Sequence, residues 1–532
     1  MNVPSPSKII KVIALFGGAL LALFPCLSQA QNNTYYGVGA LQSGTKTGLD
    51  DSAFGVHALY EDTTGGFNTG VGFNALALDT IGGYNTATGQ GALYSNTQGA
   101  QNTATGFWAL HLNTTGTANT AVGSQALYSC TNDSEETATG FQALYSDGYA
   151  SAGGSPSGNV ADGFQALYSD SGGPYNTASG YQALYKNTVG SSNTAAGYQA
   201  LYSNLIGVNN TADGTVALIS NTSGSYNTAM GCAALYTNQS GSLNTATGFS
   251  SLGLNTSGAN NVGNGYEALY ENVTGGNNTA VGYQALYDNT ADDNTAIGSL
   301  ALTANTAVGN TAAGYQALQD NVHGVSNVAV GSDSLPANEG SYNTSIGANA
   351  AFRSASVSQN TGVGFAALFN CTGNSNIALG YLAGENVTSG SNNIEIGNVG
   401  DSADSSIIRI GNGQSSAIVA GIYGVGVATS AKYVIVDPTG KLGTASAGKI
   451  GLNDPATADA IARLAARNAS LKATVTQLRT EFQATIAQQQ QQINELTASL
   501  KEQRSLLQRV SAQMQVMRAV PQEVSNNQAY PY

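Results

Sequence analysis

Charge is scarce in this chain. Lys, Arg, Asp and Glu together make up 9% of 532 residues, and there are only 3 His, 4 Cys, 10 Pro and 1 Trp. Each shortage excludes a class. Three His leave little for a metal or general-base site, and four Cys in this length cannot staple a disulfide scaffold. The 10 Pro and 67 Gly exclude collagen, which places Gly at every third position. Low charge combined with 42% apolar residues excludes a chain that is disordered throughout. The charge that is present is acidic and uneven. Residues 31–454 carry 7 basic and 26 acidic side chains, whereas residues 455–532 carry 8 basic and 5 acidic. An acidic exterior argues against nucleic acid as a ligand, since phosphate binding needs Lys and Arg. It suits a long secreted object that must stay soluble.

Long apolar runs are missing as well, with one exception. Lys8 and Lys11 precede an apolar stretch from Val12 to Leu27, and Ser28-Gln29-Ala30 places small residues at a cleavage site. Residues 1–30 therefore read as a signal peptide, and the mature chain as secreted or displayed at the cell surface. The run falls short of the roughly 20 residues a bilayer span needs. Pro25 before Cys26 departs from a lipoprotein site. No other stretch is apolar enough to cross a membrane. The remaining Cys130, Cys232 and Cys371 read as small buried hydrophobes.

Repetition fills the rest. The Gly ending each Asn-Thr-Ala-x-Gly unit recurs at 21 positions from Gly55 to Gly397, with fifteen gaps of 17 residues, four of 16 and one of 23. Taking this Gly as zero, Asn falls at −4, Thr at −3 and Ala at −2. Tyr or Phe is common at +1, Ala and Leu sit at +3 and +4, Tyr is common at +5, Asn or Asp at +7, Thr at +8 and Gly at +10. The +4 column is unbroken through Leu59, Leu76, Leu93, Leu110, Leu127, Leu144, Leu167, Leu184, Leu201, Leu218, Leu235, Leu252, Leu269, Leu286, Leu302, Leu318 and Leu335. One unit cannot bury its own apolar face, but stacked units can. The expected fold is an all-β repeat solenoid over 31–397, a parallel β-roll of about 21 coils. Each coil is expected to hold two strands of about five residues. Ala at −2 and Gly at zero would share a strand face. Asn at −4 and +7 would form side-chain amide ladders. The long gap, Asp147 to Asn159, reads as a projecting loop, for which a tolerated insertion is the simplest account.

Past Gly397 the pattern changes. Residues 398–452 are richer in β-branched side chains, as in Ile407-Ile408-Arg409-Ile410, and are expected to form a β collar capping the last coil. Residues 453–520 read as a coiled-coil stalk. Asn453 or Asp454 can cap it, and Pro455 suits the first helical position. The seam is Ile461, Leu464, Asn468, Leu471, Val475, Leu478 and Phe482; it slips at Ile486 and resumes through Ile493, Leu496, Leu500, Leu507 and Val510. Residues 521–532 are polar and expected to be disordered.

The repeats, as in Asn278-Thr279-Ala280-Val281-Gly282, resemble the head repeats of trimeric autotransporter adhesins of the YadA type. Asn392-Asn393-Ile394-Glu395-Ile396-Gly397, with Ile408-Arg409-Ile410-Gly411 onward, resembles the collar of phage-tail-fibre-like proteins. The resemblance spans about residues 34–445. It implies three chains wound about one axis and a coiled-coil stalk. It does not extend to the membrane anchor of the adhesins or to the chaperone domain of the fibres, and it transfers no binding residue.

Chemistry is hard to find in the sequence. Gly70 to Ala75 and Gly362 to Ala367 match a dinucleotide fingerprint, but both lie in phase with the repeat and open no helix. His57, His111 and His323 are scattered, and no pair of clustered carboxylates stands out for glycoside cleavage. No catalytic residue, cofactor or metal site is expected; Asp replacing Asn at +7 in some copies is all that keeps calcium open. The expected function is that of a fibrous structural or adhesion protein. It would self-associate, as a homotrimer or alternatively a dimer, and bind an extracellular protein or glycan by multivalent contact. An ice-binding solenoid, with Thr arrays at −3 and +8, and a phage-tail-fibre-like protein are the alternatives.

Overall fold

A computed structural model describes residues 32–43, 47–147, 157–414, 433–436, 442–445 and 455–518. The signal peptide, most of the 147–159 insertion, much of 398–452, the capping residues Asn453 and Asp454, and the tail lie outside the described residues.

The repeat region is a parallel β-solenoid of about 21 turns with a period of 17. One sheet of 23 strands runs its length, from Thr34–Tyr36 to Ile408–Ile410. The register is the same throughout: Thr177, Ala178 and Ser179 lie beside Thr194, Ala195 and Ala196, which lie beside Thr211, Ala212 and Asp213. At about 4.8 Å per rung, this stack rises roughly 105 Å. The 23-residue gap leaves the register intact, since Thr137 still pairs with Val160. The stack also goes beyond the 397 boundary drawn from the repeat glycines, because Ile394 pairs with Ile408 and Ile396 with Ile410 on a shortened coil.

The interior of the coil differs from the two-strand expectation. Most coils carry a single strand of three residues. A second short sheet forms only between Asp288–Asn289 and Ala304–Asn305, both in coils one residue shorter than the rest. The cause is local backbone geometry. Tyr175, Gln182 and Leu184 have φ of 63°, 53° and 52°, and the −5, +2 and +4 positions repeat this in nearly every coil. Left-handed residues cannot lie in an extended strand. They do turn their amides along the stack: Gln182 N donates to Phe164 O at 2.9 Å and Leu184 N to Ala200 O at 2.9 Å. Each such non-Gly residue costs about 1–2 kcal/mol. Burying the leucine side chain returns about 1.5–3 kcal/mol, and the inter-coil hydrogen bonds add to it.

Gly at zero does not share a strand face with Ala at −2, because the strand ends just before it. Gly180 has φ +137°, and a Cβ there would lie 2.4 Å from Gly197 O of the next coil. The same collision recurs down the column, so only Gly fits.

The core is a thin double file. All seventeen leucines from Leu59 to Leu335 are buried, lined by Ala at −2 and +3, such as Ala178 and Ala183. The file continues through Ala351 and Leu368.

Residues beyond Ser415 form a separate unit. Tyr433–Val436 pairs antiparallel with Leu442–Ala445. One unbroken helix, α1, runs from Pro455 to Arg518 and passes through the seam slip at Ile486 without interruption. It is a single helix here. Its apolar seam is open, with Ile461, Leu464, Leu471, Val475, Leu478, Phe482, Ile486, Ile493, Leu496, Leu500, Leu507 and Val510 all exposed, as is Asn468. No described helix is long and apolar enough to cross a membrane.

Candidate functional site

Because every coil repeats the same offsets, each exposed position becomes a column. The +1 column is aromatic and exposed. Phe141, Phe164, Tyr181 and Tyr198 stack in sequence with centroids 5.0–5.4 Å apart, and Phe249, Tyr266 and Tyr283 form a second run. The +2 column is an amide ladder: Gln142, Gln165, Gln182 and Gln199 each donate Nε2 to Oε1 of the Gln before, at 2.8–3.0 Å. The +5 column is half-buried and longer. Tyr94, His111, Tyr128, Tyr145, Tyr168, Tyr185 and Tyr202 stack nearly parallel, with centroids 5.1–5.4 Å apart. The rings are occupied face to face with one another, so they present edges and hydroxyls outward rather than open faces. Thr at −3 lines the neighbouring face. Thr at +8 points its hydroxyl along the stack, as Thr80 Oγ1 does to Thr97 O at 2.8 Å and Thr222 Oγ1 to Gln239 O at 3.0 Å.

Two polar columns lie inside. At −4, Asn210 N donates to Asn193 Oδ1 at 3.0 Å, and Asn210 Nδ2 reaches Gly224 O at 2.9 Å. At +7, an unbroken ladder runs from Asp170 through Asn187, Asn204, Asn221, Asn238 and Asn255 to Asn321, each Nδ2 donating to the residue one coil back. A buried polar group needs its partners, and these columns supply them by repetition.

The ladder breaks in one place. Cys130 and Asp147 take two successive +7 positions, Asp133 takes a +10 position where Gly is usual, and Glu136 takes a −4 position where Asn is usual. All four are buried. One ligand atom each from Cys130, Asp133 and Asp147 lies within 4.8 Å of the other two. Glu136 is held, accepting from Ser157 Oγ and from Asn159 N. Asp133 Oδ2 and Asp147 Oδ2 are buried with no hydrogen-bond partner, as is Asn113 Oδ1, which faces the break. Burial pushes the Glu136 carboxyl up to about 8, against Ser157 and Asn159 holding it down. Burial and the neighbouring Glu136 and Asp133 push Asp147 well above the carboxylate range, and burial with the same acidic neighbours raises the Cys130 thiol. The sequence reading had no clustered carboxyls and no metal site; the stack assembles this group from offsets that recur nowhere else.

The cysteines are free, and their offsets sort them. Cys130 and Cys371 occupy +7 and are buried. Cys232 occupies +1, the outward aromatic column, and is exposed, which corrects the reading of all three as core residues. His57, His111 and His323 are not brought together; His111 takes a +5 position inside the aromatic stack.

Comparison with protein-family models, curated proteins and solved structures found no match.

Proposed function

We propose that this chain is a secreted or cell-surface fibrous protein that works by multivalent contact along its solenoid and is brought together with its own copies by α1. The observation that carries this reading is the periodic exterior. The +1, +2 and +5 columns offer the same Tyr hydroxyl, ring edge and Gln amide at intervals of about 5 Å over many coils. A single such contact is weak, but many in one chain act at high effective concentration. Row upon row of hydroxyls and amides suits an extracellular protein or glycan that is itself extended.

Self-association is supported by the helix. A 64-residue helix with Ile461 55%, Leu471 60% and Leu507 70% exposed has no partner within its own chain. Burying that seam between copies is the physical resolution. A homotrimer is the proposed state, with a dimer as the competing result. The coiled coil would hold several solenoids together and multiply their contacts again.

Of the two threonine columns an ice-binding surface would use, the +8 hydroxyls are committed to carbonyls of the next coil, as with Thr63, Thr80 and Thr97. The carboxyl cluster near Asp147 is sealed from any polysaccharide, so it lends no support to a glycosidase.

The test is avidity against coil number. Chains with whole coils removed from the middle, and chains ending before Pro455, are compared for retention on immobilised extracellular-matrix proteins and glycans, alongside their mass by sedimentation. Binding that falls steeply with coil number and with loss of α1 supports the reading. Binding that is independent of both, or a monomeric full-length chain, refutes it.

A further inference from the structure

The break in the interior ladder is the one place where the repeat abandons its own rules at several offsets together. Elsewhere a +7 Asn donates to the residue one coil back and to a +10 carbonyl, as Asn204 Nδ2 does to Asn187 Oδ1 at 2.8 Å and to Gly207 O at 3.0 Å. At the break, the Cys130 thiol reaches only the Asp133 carbonyl, at 3.7 Å. Asp147 Oδ2 and Asp133 Oδ2 find nothing, though both residues are no more than 2% exposed. Protons alone do not resolve this. A protonated carboxyl is itself a donor, and it would need an acceptor that these oxygens lack. A cation between the three groups would satisfy the thiol and both orphan oxygens at once.

We propose that Cys130, Asp133 and Asp147 form a buried divalent-metal site selective for a borderline-soft ion of the zinc type, which joins two successive coils next to the 147–159 insertion. A cation centred in a triangle of this size lies within about 2.8 Å of each atom. Small side-chain rotations would bring it to Zn–S of about 2.3 Å and Zn–O of about 2.0–2.2 Å. The thiolate sets the selectivity: sulfur favours zinc-like ions over calcium and magnesium, which take oxygen ligands. Glu136, fixed by Ser157 Oγ and Asn159 N, lies beside the ligands as a fourth negative group that favours the cation without being freed to bind it. Binding displaces the thiol proton and any carboxyl protons to solvent, so affinity rises with pH.

The repeat itself provides well-folding controls. Cys130→Asn and Asp147→Asn install the residue usual at +7, and Asp133→Gly installs the residue usual at +10, so each variant returns the coil to its common form. The full-length protein is stripped with chelator and titrated with Zn2+ at pH 8 by calorimetry, then with Co2+ by absorption. The expected result is one Zn2+ per chain, a near-ultraviolet thiolate-to-cobalt band, and loss of both in Cys130→Asn and Asp147→Asn with their melting unchanged or raised. Calcium at the same concentration should not compete. No binding by the wild type, a cobalt spectrum without the thiolate band, displacement by calcium, or binding retained by the two Asn variants each overturns the site.

Discussion

Asp79 offers a clean measure of what the interior ladder tolerates. It holds a +7 position, where Asn96 and Asn113 follow on the next two coils. Its Oδ1 accepts from Gly82 N at 3.0 Å and from Asn96 Nδ2 at 3.2 Å, while Oδ2 is buried without a partner. Burial dominates these two bonds and lifts the carboxyl from 3.8 to about 7. A raised acid stabilises the fold fully below its unfolded value and loses that contribution as pH climbs through its folded value. Between pH 3.8 and pH 8 the coil around Asp79 therefore gives up about 4 kcal/mol, from three pH units at 1.36 kcal/mol each. Asp79→Asn carries no such term. At pH 8 the variant should protect the backbone amides of residues 76–99 about a thousandfold better than wild type, and at pH 4 the difference should shrink to less than about tenfold. Hydrogen exchange followed by mass spectrometry reads this directly, coil by coil. Equal protection at pH 8, or a variant that exchanges faster there, would refute the claim that a buried ionised carboxyl is what limits this coil.

Other outcomes follow from the same geometry. Gly180→Ala places a Cβ against Gly197 O at φ +137°, a conformation that alone costs about 1–3 kcal/mol for a side-chain-bearing residue. It should lower the melting temperature, whereas Gly362→Ala, at the −2 column where Ala is the rule and the nearest atom is 3.4 Å away, should be neutral or slightly stabilising. Leu184→Ala removes a fully buried side chain from a one-leucine-thick core and should cost about 3–5 kcal/mol by denaturant titration. Under native conditions a thiol reagent should label Cys232 alone; Cys130 and Cys371 should react only after unfolding. Asn468→Leu in the α1 seam should raise helix thermal stability and, by removing the polar register mark, broaden the sedimentation profile.

The period, the parallel stacking and the identity of the leucine column were legible because they depend on recurrence alone. Geometry inside the coil was not. Thr, Ala and Tyr in alternation suggest extended strands, yet Leu184 and Gln182 sit at positive φ, which propensity assigns to Gly and Asn. Tertiary bonding overrides it: Leu184 gains an amide bond to Ala200 O and a sealed pocket that an extended backbone could not give it. The cysteines show the opposite case. Their offsets, +7 for Cys130 and Cys371 and +1 for Cys232, already distinguish interior from exterior, and sorting by offset rather than by residue type would have placed them correctly. The cluster at Cys130, Asp133 and Asp147 needed the fold. The three are separated by 17 residues in sequence and meet because one coil lies on the next.

The pairing of Thr279 with Thr295, one residue short of the usual spacing, and of Thr137 with Val160, six residues beyond it, has a bearing on ancestry. Strand alignment is fixed by the three-residue segment and its glycine, so the remainder of each turn can shrink or grow without disturbing its neighbours. Duplication or loss of one whole unit therefore changes reach by a fixed step and leaves every surviving contact as it was. Lineages could adjust how far such a molecule extends by recombination between near-identical copies, long before any individual side chain had to be reselected.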